Sequence, residues 1–464
     1  MTGFLYRLRM FPIGTSRQLL FDDQFLDTLS NINHVMHPPT PAEVAVRSDK
    51  PWESAGVHYS SVIQDGDRFR MWYRADSGGD HNNATDAESW ICYAESDDGI
   101  VWEKPELGIV TSVESGRNNI LFPDKASGIN PTVILDPSAS NDDRYKLITR
   151  GSGPTNILGY TSPDGIRWSP VSTNPLLSEP GPFDSHNTVV YDDEQNRYVI
   201  FCRGVDTDRT GNFKDGIRAI RRSESSDFTS WSELELCLTA DRDDPTDIHL
   251  YTNATHRYTQ AQASWFMFPM VLYVDRDGNA DSYPGLSDVQ FATSRDGITW
   301  ERRIREPFLS PDLDSQNWVD RNPVVGPGIL QTGPTELSLY YSERLRDPAC
   351  CFRRATLRTD GFVSLHAGYR EWGEFTTPVL QAEGNALDLN VKTSGGGTCL
   401  VEIQDEDGQA IPGHSIDDCD PIFCDRIDRR VTWSGSEHVD TTRNIRLQIR
   451  MRDTHLYAFQ FANK

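Results

Sequence analysis

Runs of about four to eight apolar, β-branched or aromatic residues alternate with polar turns along most of this chain. "SSVIQDGDRFRMWYR" (60–74) is one pair of runs around one turn. The same arrangement returns in "PTVILDPSASNDDRYKLITR" (131–150), "NTVVYDDEQNRYVIFCR" (187–203), "IHLYTNATHRYTQAQ" (248–262) and "PVVGPGILQTGPTELSLYYSER" (323–344). Each reads as a β-hairpin. No long amphipathic helical period interrupts them.

A short turn follows each hairpin. "SDDGIVW" carries Asp98, Gly99 and Trp102; "SPDGIRW" carries Asp164, Gly165 and Trp168; "SRDGITW" carries Asp296, Gly297 and Trp300. "SSDFTSW" has Asp227 and Trp231 but Phe228 in the glycine position, and "RTDGFVS" is a degraded fifth copy with Asp360 and Gly361. The five aspartates are 66, 63, 69 and 64 residues apart. A regular period of this size marks a repeat architecture. In such a turn the Asp side chain accepts from backbone N–H groups two residues on, and the next residue takes positive φ. The motif therefore marks a hairpin, and the Trp covers it.

Two strands from each hairpin, one before the Asp turn and one after it, give four per repeat. Five such units predict an all-β, five-bladed β-propeller over residues 15–370. Its closing strand is expected in "QLLFDDQFL" (18–26) or "INHVMHP" (32–38). Beyond residue 370 the period is lost, and "ALDLNVKT", "TCLVEIQDEDGQAI", "NIRLQIRMRD" and "LYAFQF" alternate as strands. They predict a C-terminal β-sandwich over 371–464.

Composition narrows the partners. The net charge of −24 lacks the basic footprint that nucleic acid or an anionic membrane requires. No apolar run approaches the roughly 18 residues of a membrane span. Tyr and Trp are plentiful, with 16 and 11 copies, and suit both β-sheet packing and stacking on sugars. The eight cysteines show no CxxC pair and read as reduced, mostly structural thiols. "MTGFLYRLRMFPIG" has no continuous apolar core, so a cytoplasmic location is the default expectation.

The five Asp turns, with "LLFDDQFLD", "KPWE", "YAESDDGIVWEKPELG", "RYKLITR" and "THLYAFQF", make the chain resemble the five-bladed propeller glycoside hydrolases. These are the fructosidase and invertase group and the arabinanase and xylosidase group, and the chain also resembles a set of mostly uncharacterised bacterial relatives of the fructosidase group. The resemblance implies cleavage of a glycoside, a fructoside or a pentoside, by paired carboxyl groups. The fructosidase W-x-N-D-P-N, the R-D-P of its third repeat and the E-C dipeptide are all absent, so no carboxylate is carried over from them.

Candidate chemistry comes instead from the starts of the innermost strands, near residues 57, 130, 185, 247 and 321. Glu53 and His58 stand at the first, Asn130 at the second, and Asp184, His186 and Asn187 at the third. Asp247 and His249 stand at the fourth, and Asp320 and Arg321 at the fifth. One carboxyl must protonate the leaving oxygen while another attacks or activates water. The pair expected is Asp184 and Asp247, with Glu53 and Glu343 as competing acids. His58, His186, Asn187, His249, Asp320, Arg321 and Asp23 are candidate substrate contacts, and Asp22 is a further acid. Arg74, Arg150, Arg203 and Arg344 follow the second strand of their repeats and either orient acids or form ion pairs between blades. Trp52, Trp265 and Trp318 are candidate stacking platforms. No metal motif is present and no cofactor is expected, although His58, His186 and His249 leave a divalent cation at the axis open.

Three functions remain. Facing carboxylates in the funnel favour hydrolysis. An Arg/His cluster beside the acids favours a phosphorolytic enzyme. A plugged funnel favours a non-catalytic carbohydrate-binding propeller.

Overall fold

The computed structural model describes residues 10–78, 88–122, 128–151, 153, 155–179, 183–206, 216–246, 248–276, 278, 285–345 and 347–463. Among them the regular structure is β-strand with short 3-10 turns, and no helix is long and apolar enough to cross a membrane. The chain divides into two compact units. One holds Pro39–Arg257 and Trp265–Thr356. The other holds the stretch ending at Pro38, Tyr258–Ser264 and the stretch from Leu357 onward.

The larger unit contains the repeats. Gly56–Asp65, Arg68–Ser77 and Glu88–Ser96 form a first antiparallel sheet. Ile129–Leu135, Tyr145–Arg150, Asn156–Ser162 and Ser169–Pro170 form a second, and Thr188–Asp192, Arg197–Asp206, Ile217–Ser225 and Glu235–Leu238 a third. The fourth repeat is broken into two three-stranded pieces, one through Met270–Tyr273 and one through Trp265–Met267. Pro269 lies at the break and has no N–H to continue a ladder. The fifth sheet orders Val324–Val325, Glu336–Glu343, Cys351–Arg358 and Thr40–Arg47.

That last strand corrects the expected closure. Neither 18–26 nor 32–38 closes the fifth sheet. Gln18–Leu19 pairs with Arg446–Ala462, and Ile32–Met36 with Val363–Ala367, both within the smaller unit. Thr40–Arg47 does the closing, with Phe352 opposite Val46, and Val46 is buried beside Val57, Tyr73 and Phe352. In "TPAEVAVR" the Pro and Glu that obscure the strand signal are the residues an edge strand tolerates. The compact units accordingly differ from the 15–370 and 371–464 limits, because residues 15–38 pair with the C-terminal strands.

Contacts between the first strands run in order from sheet to sheet. Val133 N–H donates to Ser61 Oγ (3.0 Å), Thr132 Oγ1 to the Asn187 carbonyl (2.7 Å), and Thr188 Oγ1 to Asn253 Oδ1. Tyr251 packs with Val324, and Val62 N–H donates to the Pro327 carbonyl (3.0 Å). The sequence of contacts thus returns to the first sheet. Its last step needs glycine: a Cβ on Gly326 would lie 2.2 Å from the Ser60 carbonyl oxygen, and one on Gly328 2.2 Å from that of Val62.

Four of the five Asp turns share one set of bonds. Asp98 Oδ1 accepts from the N–H groups of Ile100 (2.7 Å) and Val101 (2.9 Å), and Ser96 Oγ accepts from Gly99 N–H (2.9 Å). Asp164 and Asp296 accept from the same two positions, as does Asp227. Phe228 takes the glycine role at φ 65°, close to the 69–74° of Gly99, Gly165 and Gly297. The residue after each Trp, not the Trp itself, rejoins the sheet: Glu103 bridges Glu95, and Glu301 bridges Thr293. The fifth copy differs. Asp360 itself has φ 61°, and its carboxylate is held by Arg17 (2.5 Å), Tyr258 (2.7 Å) and Asn390 (3.1 Å) within the smaller unit.

The smaller unit is built on two long strands, Ala386–Gln404 and Arg446–Ala462, paired antiparallel with an interruption between Thr393 and Thr398. Its core gathers Phe25, Leu387, Val401, Trp433, Ile449 and Phe459, among others.

Two turn glycines separate backbone strain from steric fit. Gly66 (φ 61°) has open space where a Cβ would stand, whereas a Cβ on Gly165 (φ 74°) would lie 2.9 Å from the Trp72 ring. Gly66→Ala should cost about 1 kcal/mol, the left-handed penalty alone. Gly165→Ala should cost roughly 1–3 kcal/mol more. Urea denaturation of the two variants side by side checks this, and equal losses would remove the role given to the Trp72 contact.

Candidate active site

Irregular backbone at the strand starts sets up the site. The register of the first hairpin shifts between His58 and Ser61, and Tyr59 sits there at φ 52°. Asn130 (φ 60°) and Arg321 (φ 57°) stand at the corresponding starts of the second and fifth sheets. A bulge of this kind re-aims a side chain that a regular strand would turn to one face.

The side chains brought together are mainly arginines. Arg74 is paired across the hairpin with His58, and Arg150 with Ile129. Arg203 is fixed by its N–H bond to Asn187 Oδ1 (3.1 Å). Arg218 comes from the third strand of its sheet, opposite Val205. Arg203 and Arg218 lie over the Tyr251 ring at 5.3 and 5.6 Å. Asp184 is close enough to Tyr59, Arg74, Arg150 and Arg218 to bear on the ionisation of each, and Arg321 bears on Tyr59 and on Arg218.

Asp184 is the open carboxylate of this group. Its side chain is 56% exposed, and Oδ1 lies 3.9 Å from Arg150 Nε. Its main chain is fixed: the carbonyl accepts from Arg203 (2.8 Å) and from the Tyr251 hydroxyl (3.3 Å). Two other carboxylates are committed to neutralising cations. Asp76 accepts from Arg74 Nε (2.8 Å) and lies 3.3 Å from His58 Nε2. Burial opposes its ionisation, but Arg74 and His58 outweigh burial and hold its pKa below the usual carboxylate range. Asp320 is buried and bound to Arg321 Nε (2.6 Å). Burial lowers the pKa of Arg150, and burial with the neighbouring Arg203 lowers that of Arg218. Arg150 Nε has no hydrogen-bond partner although it is buried.

The remaining candidates are placed as follows. Asp247 lies outside the described residues. Glu53 is fully buried, with Oε1 accepting from Tyr73 (2.7 Å) and Oε2 from Lys104 (2.6 Å) and from two backbone N–H groups. Glu343 is buried between the Tyr341 hydroxyl (2.8 Å) and Arg353 Nε (2.7 Å). Neither carboxylate is open. Asn187 is buried and caps backbone groups. His249 accepts from Arg218 N–H at Nδ1 (3.0 Å), and burial with the two guanidiniums lowers its pKa to about 4. Asp23 belongs to the smaller unit, exposed beside His34. Arg344 pairs with Asp314 instead of joining the cluster. Trp52 and Trp265 are buried, and Trp318 is 42% exposed. No group of three or more His, Cys, Asp or Glu side chains among the described residues is placed to hold a metal ion. Tyr59, Asp76, Arg218 and Tyr251 are the members that sequence reading did not single out. The "HY" and "HLY" after two strand starts was the only signal for Tyr59 and Tyr251.

No family model matches the chain. Two uncharacterised proteins of Mycobacterium tuberculosis are each 29% identical to it over 160 residues, 33% of this chain. The match spans 48% of those relatives, so the chain covers about half their length. Among solved structures, a glycoside hydrolase aligns at TM-score 0.49 and 14% identity, over 69% of this chain and 92% of its own. A family 43 arabinoxylan arabinofuranohydrolase from Bacillus subtilis aligns at 0.44 and 13%, over 90% and 98%. A β-1,2-mannobiose phosphorylase from Listeria innocua aligns at 0.45 and 11%, over 71% and 97%.

His186, beneath the site, gives the fold a pH dependence. It is fully buried, with Nε2 3.0 Å from the Pro131 carbonyl, so that nitrogen carries the proton of the neutral ring. Burial lowers its pKa from 6.5 to about 4, only partly offset by the bond to Pro131. Between those values the unfolded chain binds a proton that the folded one refuses. Its contribution is therefore complete above pH 6.5 and is lost as pH falls toward 4, by up to about 3 kcal/mol. His186→Gln should flatten the loss of unfolding free energy between pH 7 and 4.5. An unchanged slope would show that His186 does not report this proton.

Proposed function

We propose that the larger unit is a five-bladed β-propeller, that the smaller one is a β-sandwich, and that the chain is a carbohydrate-active enzyme cleaving a glycosidic bond at the arginine-lined mouth of the propeller. The cyclic order of first-strand contacts supports the first part, and the pairing along Ala386–Gln404 and Arg446–Ala462 supports the second.

One observation carries the functional reading. Asp184 offers an open carboxylate on a clamped main chain, ringed by donors, at the converging strand starts. Cleavage of a glycoside needs a proton delivered to the leaving oxygen and attack on the anomeric carbon. Asp184 takes one of these roles. Asp247, at the start of the fourth repeat, is the proposed partner on the sequence pattern alone. The guanidiniums and His249 supply donors to hydroxyl groups, and Tyr59 supplies a ring face at the mouth. The burial of Glu53 against Tyr73 and Lys104, and of Glu343 against Tyr341 and Arg353, supports Asp184 over them as the acid or base.

Asp184→Asn should lower turnover at least about a thousandfold, the scale of a lost acid or base, with an unchanged melting temperature. A panel of aryl glycosides and oligosaccharides screened against the purified chain supplies the substrate. A variant as active as the parent would remove Asp184 from the chemistry. Saturable sugar binding without turnover in the parent chain would replace the enzyme reading with a binding one.

A further inference from the structure

We propose that a pocket beside the first sheet of the larger unit is a second saccharide-binding site, taking one neutral sugar residue of an oligosaccharide or polysaccharide. It shares no lining residue with the mouth. The proposal rests on the glycoside reading only for the class of its ligand.

The pocket encloses about 290 Å3, the small end of ligand sites. One wall runs from Lys50 to Trp52, the other includes Glu114 and Arg117 to Asn119, and Lys104 and Glu106 complete the lining. Three buried polar side chains hold these surface segments in place. Glu53 Oε2 accepts from the N–H groups of Asp49 (3.0 Å) and Lys50 (3.1 Å) and from Lys104 Nζ (2.6 Å). Lys104 also donates to Asp49 Oδ1 (2.8 Å) and the Arg47 carbonyl (2.6 Å). Asn118 donates to the carbonyls of Val110 (2.8 Å) and Val113 (2.7 Å) and accepts from Ile120 N–H (3.1 Å). Asn119 joins the two walls: it accepts from Trp52 Nε1 (2.9 Å) and donates to the Tyr73 hydroxyl (2.8 Å) and the Tyr93 carbonyl (2.6 Å). A buried ion pair such as Glu53–Lys104 adds little net stability. What this one does is fix a surface turn. Glu114 (φ 46°) and Ser115 (φ 56°) are held in left-handed backbone in the same pocket segment, a conformation that side chains adopt at a cost.

The rim indicates the ligand. Lys50 and Arg117 bring positive charge to it, and Glu106 and Glu114 negative charge. Lys50 is half-buried and the other three are exposed. None of these four side chains is hydrogen-bonded or ion-paired to another or to any other described residue. An anion would satisfy one pair and repel the other, and a cation the reverse. A sugar hydroxyl both donates and accepts, so adjacent hydroxyls of one residue answer the carboxylates and the cations together. Pro51 and Trp52 add apolar surface for the C–H groups of the ring. The indole N–H is committed to Asn119 and does not compete for hydroxyls. The pocket and the mouth both belong to the larger unit. A polysaccharide held at the pocket therefore stays at high effective concentration near the mouth, a gain that a short substrate does not share.

Calorimetric titration of the full chain carrying Asp184→Asn, which slows turnover, tests this with xylohexaose, arabinohexaose, the fructan nystose, L-glutamine and sodium sulfate. At least one oligosaccharide should show a saturable binding step that Glu106→Gln with Arg117→Met weakens about tenfold or more. Arg443→Met, an exposed charge in the smaller unit, should leave that step alone. Melting temperatures check that the rim variant is folded. With Asp184 intact, the rim variant should lose more turnover on a polysaccharide than on an aryl glycoside, a split that damage to the mouth would not produce. No saccharide binding, saccharide binding unchanged by the rim substitutions, or saturation by glutamine or sulfate alone would overturn the proposal. Aryl glycoside turnover alongside any of those results would leave the reading of the mouth intact. Rim-dependent saccharide binding by a chain that cleaves no glycoside would keep the pocket and remove that reading.

Discussion

The larger unit depends on a turn docked against the sheet before it. In each of four repeats an Asp carboxylate and a Ser hydroxyl satisfy the turn's own N–H groups. That frees the carbonyls to face outward. Gly165 then accepts from Trp72 Nε1 (2.8 Å) and Asp164 from Arg70 (2.8 Å), both in the preceding sheet. Gly99 accepts from the Tyr340 hydroxyl in the fifth sheet. In the third and fourth repeats the contact is through rings: Lys146 lies over Phe228 at 5.7 Å, and Trp300 meets Phe201 edge-on at 5.7 Å. Each buried bond is worth only about 1 kcal/mol net. The same joint made four times fixes the order of the sheets and so the spacing of their first strands.

The site follows from that spacing. At the starts of those strands Tyr59, Asn130 and Arg321 take positive φ, and the ladder shifts register beside the first two. What collects there is not a ring of free acids. Most carboxylates near it are already spent on cations or tyrosines, as Asp76, Asp320, Glu53 and Glu343 are. Asp184 stays open because its main chain, not its side chain, is what Arg203 and Tyr251 hold. Positional rigidity and chemical availability are thereby assigned to different atoms of one residue.

Much of the scaffold was legible because it is written in repeated local chemistry. The Asp turns and hairpins depend on residues two or three apart, and a sequence displays those directly. The closing strand was not legible. "TPAEVAVR" earns its place through partners about 300 residues away, and nothing local distinguishes it from a loop. The site was half legible for the same reason. Asp184, His249 and Arg321 sit at strand starts that the repeat locates. Arg218 reaches the cluster from a third strand, and its role is set by a neighbour, Tyr251, that lies on another sheet. Glu53 carries the right functional group at the right position in its repeat, yet Tyr73 and Lys104 consume it, and neither partner is visible from the local sequence.

The pairing of Thr40–Arg47 with Cys351–Arg358 also orders events in time. On a ribosome the N-terminal member of this pair is made first and waits for its partner through almost the whole length of the larger unit. Until Cys351–Arg358 has emerged, Val46 has no Phe352 to pack against. A loop closure of this span slows the final step, and the waiting chain is an aggregation hazard that a shorter connection would avoid. The placement of Pro41 and two charged residues, Glu43 and Arg47, in that early strand makes it a poor template for the wrong neighbour while it waits.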